Sequence, residues 1–317
     1  MSKYDVFNGD ADGICALHQF RLANPAESTL VTGVKRDIQL LKQFDTSADD
    51  EVSVFDISLD KNRDALETHL KGGAKVKYFD HHFAGEIPQH DGLNSYIDTS
   101  PETCTSVIVD EYLDGQFRDW AVVGAFGDGF DDLAARLASN ISLSDELKAK
   151  YRVLGNLINY NAYGSSLDDL HFAPADLYRS VSRFTAPSEF IESADFKTLE
   201  AGYAEDNEFA KALKPEFEDD KVALIFLPNE NWARRISGVY ANELNKQYPN
   251  RAHALLTDIG DSNYLVSIRA PASTKTGADE LCRQFETGGG RKAAAGINKL
   301  PASNYDLFVE KFKAQFS

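Results

Sequence analysis

Short apolar segments in the N-terminal part of the chain run repeatedly into acidic side chains. The segments and the acids that follow them are Tyr4–Phe7 with Asp10 and Asp12, Glu51–Phe55 with Asp56, Lys75–Phe79 with Asp80, and Ala121–Phe126 with Asp128. Short apolar runs that alternate with helical patterns predict strands of a parallel sheet. Open α/β sheets bind ligands at the carboxyl ends of their strands, so we expect these acids to meet at one edge.

Two adjacent histidines, His81 and His82, follow Asp80 at the end of one of these segments. Adjacent residues at a strand end point in different directions, so the two imidazoles cannot do the same work. One can bind a metal ion while the other reaches a substrate. A surface turn that happens to contain two histidines is the alternative, and the other acids at similar positions argue against it.

Carboxylates gathered at one edge need neutralisation, because like charges raise one another's pKa. Oxygen ligands with one imidazole suit manganese or magnesium better than a cysteine-type zinc site. Four carboxylates exceed the need of one ion, so we expect two ions with Asp56 as the bridge. Such a pair clamps the attacking and leaving oxygens of an in-line displacement at phosphorus.

The C-terminal part begins a second α/β pattern and is predicted to be a smaller domain. Pro187, and Pro215 with the acidic run that follows it, are boundary signals. We therefore predict a catalytic domain over residues 1–186, a helical linker over 187–220 and a substrate-binding domain over 221–317.

Composition limits the classes of partner and compartment. The formal net charge is −17, from 50 acidic and 33 basic residues, which argues against a broad nucleic-acid surface. A short anionic substrate in a local basic pocket remains compatible with this charge. No apolar run reaches the ~18 residues of a membrane span, no secretory signal is seen, and three scattered cysteines predict no disulfide framework. We expect a cytoplasmic protein.

The ordered acids and histidines resemble the motifs of the DHH phosphoesterase superfamily. The residues that carry the resemblance are Asp10-Ala11-Asp12, Asp56, Asp80-His81-His82 and Asp128, in this order. The run Gly288–Gly296 is similar to the glycine motif of the C-terminal domain associated with that superfamily. Ser267-Ile268-Arg269 resembles the same domain's substrate-binding arginine strand.

The resemblance implies manganese-dependent hydrolysis of phosphoesters in a cleft between two domains. It implies that Asp10 and Asp56 hold one ion. The other ion would be held by Asp12, Asp56, His81 and Asp128. His82 would contact the scissile phosphate, and Asp80 would orient the histidines. The far end of the substrate would be bound by Arg269, Gly288, Gly289, Gly290 and Arg291.

Two residues depart from the pattern of the superfamily. Many members carry His or Asp where this chain has Asn8, a neutral and weaker metal ligand. His often follows the three glycines, where this chain has Arg291. Arginine offers a permanent charge and a forked donor in place of a titratable group.

Hydrolysis of short phosphodiesters or nucleotides is the leading prediction: short oligonucleotides, a cyclic dinucleotide or a 3′-phosphorylated nucleotide. A RecJ-like single-strand exonuclease and a polyphosphate phosphatase are the alternatives among enzymes. A catalytically silent nucleotide-binding protein is the alternative of another class. Retention of Asp10, Asp12, Asp56 and Asp128 favours an enzyme.

Overall fold

The computed structural model describes residues 1–316, and the chain divides into two compact units between Ala201 and Gly202. The first unit contains a sheet of five strands and the second unit a sheet of six. The predicted α/β fold, with a parallel sheet in the N-terminal part and a smaller α/β part after it, is confirmed. The predicted boundaries at 186 and 220 stay a prediction.

The first sheet is parallel throughout, in the order β2-β1-β3-β4-β5. Its strands are β1 (Lys3–Phe7), β2 (Thr29–Val31), β3 (Glu51–Phe55), β4 (Lys75–Asp80) and β5 (Leu93–Ile97). Parallel pairing brings every carboxyl end to the same edge, because all strands run the same way. The residues that follow β1, β3 and β4 therefore lie on one rim of the sheet.

Nine helices begin in the first unit, among the residues that the structure describes. They are α1 (Ala11–Ala23), α2 (Leu59–Lys71), α3 (Thr105–Tyr112), α4 (Arg118–Gly127), α5 (Asp131–Asn140), α6 (Asp145–Asn161), α7 (Pro174–Val181), α8 (Pro187–Ile191) and α9 (Ala194–Ala212), the last of which ends in the second unit. Val6, Val54, Val76 and Tyr78 are fully buried in a core that includes Leu66 of α2. Burial of such side chains stabilises the fold by about 1.5–3 kcal/mol each.

The expectation that four strands carry the acids was wrong for the fourth segment. Ala121–Phe126 belongs to the helix α4, and Asp128 is the residue after its end. Trp120 and the apolar residues that follow it in α4 are buried. A short, continuously apolar run is compatible with either a buried helix or a buried strand, so the sequence pattern did not separate the two. Leu40–Gln43 forms a 3-10 turn, and β5 is not among the segments that the sequence pattern singled out.

Glycines near the end of α4 allow three helices to approach closely. A Cβ atom on Gly127 would lie 2.2 Å from the Cβ of Ala11 in α1 and 2.7 Å from the carbonyl oxygen of Gly155 in α6. A Cβ on Gly155 would lie 2.3 Å from the carbonyl oxygen of Val123. Side chains at these positions would force the backbones apart. This close packing holds Asp128 near the N-terminus of α1.

His18 of α1 should make the first unit sensitive to acid. Burial lowers the pKa of His18 to about 4, although its Nε2 lies 2.9 Å from the carbonyl oxygen of Phe184, which accepts a hydrogen bond from it. An unfolded chain titrates near pH 6.5, so the unfolded state binds more protons between these values. Stability is therefore lost as the pH falls from about 6.5 to about 4, by at most ~3 kcal/mol.

Urea unfolding between pH 4.5 and 7.5 measures this loss. A Trp232→Phe background leaves Trp120 as the fluorophore, and its ring lies 4.7 Å from that of His18. His18→Gln should flatten the pH dependence, whereas the same change at His90, an exposed histidine, should leave it unaltered. An unchanged slope in His18→Gln would show that His18 does not carry the effect.

The second unit contains a mixed sheet in the order β10-β11-β9-β8-β7-β6. Its elements are β6 (Phe217–Glu218), β7 (Val222–Leu227), α10 (Asn231–Gln247), β8 (Ala252–Asp258), β9 (Asn263–Arg269), α11 (Ala278–Cys282), β10 (Gly288–Gly290), β11 (Ala294–Pro301) and α12 (Tyr305–Phe316). Leu224, Leu256, Ile268 and Ile297 lie in its core with Phe308 of α12. Within residues 1–316, only β7 and β8 of this sheet pair in parallel. Among residues 1–316, none of the helices has the length and apolar character that crossing a membrane requires.

Candidate metal centre

Asp10 and Asp12 lie at the rim of the sheet, and each accepts hydrogen bonds from the N-terminus of a helix. Asp10 is the N-cap of α1, and its Oδ1 accepts hydrogen bonds from the backbone N–H groups of Asp12 and Gly13, each at 3.1 Å. Asp12 accepts from the N–H groups of Thr105 and Ser106, at 2.7 and 2.8 Å, where α3 begins. Orphan N–H groups at helix starts suit carboxylates, so the helices fix both side chains in place.

Asp56 follows β3 in a left-handed backbone conformation, with φ of 61°. This region is uncommon for residues other than glycine, and such residues cluster at functional sites. The Asp56 side chain is 3% exposed, and its Oδ1 accepts a hydrogen bond of 3.0 Å from Thr105 Oγ1. The backbone therefore directs a buried carboxylate toward the start of α3.

His81 presents one ring nitrogen to three carboxylates. Its Nδ1 lies 3.1 Å from the carbonyl oxygen of Thr103, which can only accept, so Nδ1 carries the proton. The Nε2 atom lies 3.5 Å from Asp56 Oδ1, 3.7 Å from Asp128 Oδ2 and 4.0 Å from Asp12 Oδ2. The Nε2 atom therefore points among acidic oxygens, an arrangement that a shared cation stabilises.

Asp80 contacts His82 and not both histidines. His82 Nδ1 donates to Asp80 Oδ1 at 2.7 Å and lies 3.7 Å from Asp56 Oδ1. His81 is oriented instead by the carbonyl of Thr103, which corrects the predicted role of Asp80 toward the pair. His82 is 44% exposed, so its ring can meet a ligand from solvent.

Lys35 is a cation within this acidic group, and it was not predicted. Its Nζ lies 2.6 Å from Asp10 Oδ2, 2.8 Å from Asn159 Oδ1 and 3.6 Å from Asp128 Oδ1. Asp128 therefore faces Lys35 with one oxygen and His81 with the other. Lys35 follows soon after β2, and the rule that ligands gather at strand ends could have identified it.

The pKa values reflect this crowding. Burial and the nearby carboxylates of Asp10, Asp12, Asp128 and Asp80 raise the pKa of Asp56 well above its usual value. Burial would also raise the pKa of Asp10, but the charge and hydrogen bond of Lys35 lower it. Carboxylates that oppose one another's charge in this way favour binding of a further cation.

The residues fit a divalent ion. Ligand atoms of Asp12, His81 and Asp128 lie within 4.8 Å of one another, and so do those of Asp56, His81 and His82. Atoms that share an ion at about 2.0–2.1 Å are about 3–4 Å apart, close to the separations around His81 Nε2. Three carboxylates with one imidazole suit Mn²⁺ or Mg²⁺.

Asn8 was predicted as an uncertain metal ligand. It is buried, and it precedes Asp10 closely in the sequence. Its Oδ1 has no hydrogen-bond donor among residues 1–316, and neither does Asp80 Oδ2. Unpaired buried acceptors are costly, so both atoms are compatible with a nearby cation. The role of Asn8 as a ligand stays a prediction.

Sequence reasoning missed several residues that shape this site. They are Lys35, Asn159, Thr103, Thr105 and Ser106. Thr103, Thr105 and Ser106 contribute through the start of α3, and a threonine before a helix carries no separate signal of a metal site. Of these residues, Lys35 lies soon after a strand, β2.

The predicted substrate-binding residues lie in the second unit. Arg269 ends β9, and its Nε donates to Asn242 Oδ1 at 2.8 Å. The predicted glycine loop is a β-hairpin: Gly288–Gly290 form β10, which pairs antiparallel with β11. Arg291 is exposed in the turn between the two strands.

The three glycines have different reasons to lack a side chain. A Cβ on Gly288 would lie 1.7 Å from the carbonyl oxygen of Cys282, and Gly290 has φ of 139°. Packing and backbone conformation therefore require glycine at both positions. A Cβ on Gly289 would meet no atom within 4 Å among the described residues, so the fold itself does not explain this glycine.

Comparisons with known proteins relate this chain to one domain family and to several solved folds. Residues 219–317 match the DHHA1 domain model. No curated protein matches the chain. Among solved structures, the chain is similar to the exonuclease RecJ bound to manganese, with a TM-score of 0.63 and 15% identity, over 100% of this chain and 91% of that one.

Two further structures share the fold. A pGpG-specific phosphodiesterase of Vibrio cholerae has a TM-score of 0.55 and 14% identity, over 99% of this chain and 100% of that one. RecJ of Thermus thermophilus in complex with Mn²⁺ has a TM-score of 0.58 and 14% identity. The match covers 99% of this chain and 51% of that RecJ, so the chain spans about half its length.

The fold and the acidic rim with its two histidines define an α/β protein with a candidate site for a divalent cation. Residues 219–317 belong to the DHHA1 domain family, and the chain shares the fold of RecJ and of the pGpG-specific phosphodiesterase. Both findings agree with the resemblance to the DHH phosphoesterase superfamily that the sequence shows.

Proposed function

We propose that this chain is a phosphoesterase that depends on a divalent metal ion and hydrolyses short phosphodiesters or nucleotides. The observation that carries the proposal is the position of His81 Nε2, 3.5–4.0 Å from oxygens of Asp12, Asp56 and Asp128. The similar RecJ structures contain Mn²⁺ or Mg²⁺, which supports the same class of ion here.

Asp12, Asp56, His81 and Asp128 would hold the ion. An ion bound by them would lower the pKa of a water molecule and neutralise charge on the phosphoryl group. The N–H groups of α3 keep Asp12 in place, and Thr105 does so for Asp56. Groups that are fixed before the reaction need no reorganisation during it, which favours catalysis.

His82 is proposed to act on the phosphate itself. Burial would lower the pKa of its imidazole, but the hydrogen bond to Asp80 and the charge of Asp80 raise it. A protonated ring can donate to a phosphoryl oxygen or give a proton to the leaving group. Asp80 holds the proton on Nδ1, which leaves Nε2 for this contact.

Short substrates agree with the charge of the chain. With a net charge of −17, the chain repels long polyanions, whereas a local metal ion and a few basic residues suffice for a short one. The similarity to a pGpG-specific phosphodiesterase supports this proposal, and the similarity to RecJ keeps single-strand exonuclease activity as the second candidate. An assay over dinucleotides, longer oligomers, cyclic dinucleotides, a 3′-phosphorylated nucleotide and polyphosphate separates these candidates.

Removal of metal should abolish hydrolysis, and manganese should restore it. Calcium is larger and coordinates more loosely, so it should restore little activity at the compact cluster around His81. The measurement is turnover of a dinucleotide after dialysis against chelator and after readdition of Mn²⁺, Mg²⁺ or Ca²⁺. Full turnover after exhaustive chelation, with metal content below about one-tenth of the chain concentration by elemental analysis, would contradict the proposal.

A further inference from the structure

Lys35 is fixed from both ends. Its backbone N–H donates to the carbonyl oxygen of Ala162 at 2.9 Å, after the end of α6. Its ammonium donates to Asp10 Oδ2 at 2.6 Å and to Asn159 Oδ1 at 2.8 Å, and it lies 5.5 Å from the centre of the Tyr163 ring. Its side chain is only 22% exposed. A lysine with these contacts is part of the site and not a mobile surface group.

Both oxygens of Asp10 already accept hydrogen bonds, and one of the donors is the Lys35 ammonium. Its Oδ1 accepts the N–H groups of Asp12 and Gly13, and its Oδ2 accepts from Lys35. A divalent ion bound to Asp10 would have to displace the Lys35 ammonium or lie against it. A divalent ion in contact with the ammonium would be repelled strongly, because the site is partly buried and water screens the two charges poorly.

Asp128 divides the acidic cluster into two parts. Its Oδ1 is 3.6 Å from the Lys35 ammonium, and its Oδ2 is 3.7 Å from His81 Nε2. One part contains Asp10, Asn159 and the ammonium. The other contains His81 with Asp12 and Asp56, whose oxygens have no basic partner besides the histidines among the described contacts.

We propose that the Lys35 ammonium takes the place of one of the two expected divalent ions, so that the chain binds a single ion tightly, at the His81 part. This inference rests on the proposed function, since it concerns the same site. The predicted pair of ions would then be one divalent ion and one ammonium bridged by Asp128. Lys35 would supply a fixed positive charge beside the phosphoryl group without a second metal.

Counting bound ions tests the proposal without an activity readout. Metal-free chain is titrated with Mn²⁺ by calorimetry, and free Mn²⁺ is followed by electron paramagnetic resonance. We expect one tight ion in the unaltered chain and two in Lys35→Ala, in which the spectrum of the loaded protein should show a spin-coupled manganese pair. Lys35→Met keeps the stem of the side chain, should also bind two ions, and serves if the alanine variant does not fold.

Two variants serve as controls. Lys35→Arg retains the positive charge and should keep the count at one. Lys75→Ala removes a lysine of the same sheet that is paired with Asp49 at 3.0 Å, away from the carboxyl ends of the strands, and should also bind one ion. Two tight ions in the unaltered chain, or one in both folded Lys35→Ala and Lys35→Met, would overturn the assignment of Lys35.

The outcomes for Lys35 and for the proposed function are separable. One ion in the unaltered chain and two in Lys35→Ala, with no hydrolysis of any substrate in the panel, would support Lys35 as a resident cation and refute the phosphoesterase. Hydrolysis that requires two tight ions in the unaltered chain would support the phosphoesterase and refute the role of Lys35. Absence of any tight ion would refute both.

Discussion

Asp56→Asn should abolish hydrolysis and weaken Mn²⁺ binding, yet stabilise the metal-free protein. The amide keeps the size of the side chain and tolerates the left-handed backbone of residue 56, but it carries no charge. Mutation of a group that only hydrogen-bonds to a metal ligand lowers metal affinity by about 10–100-fold. Loss of the Asp56 carboxylate itself should therefore lower Mn²⁺ affinity by more than about 100-fold. Asp56→Ala should lose the same functions.

The metal-free protein should gain stability because crowded carboxylates surround Asp56. The folded state raises the pKa of Asp56, so the folded state binds the proton more tightly than the unfolded state does. Stability then falls as the pH rises above the unfolded value, and at neutral pH this buried charge opposes folding. Removing the charge should raise the midpoint of thermal unfolding of metal-free protein, and this rise should be larger at pH 8 than at pH 5.

Asp110→Asn is the matched control. Asp110 is a buried carboxylate of the same unit, and it accepts a hydrogen bond of 2.9 Å from Arg118 Nε. Metal content and turnover should stay unchanged in this variant, because Asp110 pairs with Arg118 and is not among the contacts of the acidic group. Asp56 does not belong to the site if its asparagine variant keeps normal Mn²⁺ affinity and turnover.

His82→Ala should lower kcat by about 10²–10⁴-fold with metal content retained, which is the usual range for a proton-transferring group. If Arg291 binds a remote part of the substrate, as the sequence resemblance implies, Arg291→Ala should instead raise KM for nucleotides by about 10–100-fold through loss of charge-assisted bonds. The prediction follows from the placement of His82 beside Asp56 and of Arg291 in the separate DHHA1 unit. If the remote contact also aligns the substrate, kcat for nucleotides will fall as well.

A small ester distinguishes the two roles. Bis(p-nitrophenyl) phosphate offers the reacting group without the remote part, so His82→Ala should impair its hydrolysis and Arg291→Ala should not. Arg283→Ala is the matched control, because Arg283 is an exposed arginine of the same unit, paired with Asp279 at 3.2 Å. Equal losses on nucleotide and ester in Arg291→Ala would place Arg291 at the reacting phosphate and refute the division.

The sequence by itself determined the sheet rim and most of its acids. A strand followed at once by an acid is a local pattern, and parallel strands bring their carboxyl ends together whatever the rest of the chain does. That reasoning applies to Asp12 after β1, Asp56 after β3 and His81 after β4. The resemblance to the DHH superfamily rested on the same residues, and the DHHA1 match agrees with it.

Only the tertiary structure decided which partners these residues have. Asp128 reaches the rim from the end of a helix that close-packed glycines hold against α1 and α6, which no local pattern reveals. Lys35 lies 25 residues from Asp10 and 124 from Asn159 along the chain, and their contacts arise because β2 pairs with β1 and α6 ends near Lys35. Long-range packing, which depends on many side chains at once, therefore placed the Lys35 ammonium beside Asp10 and Asp128.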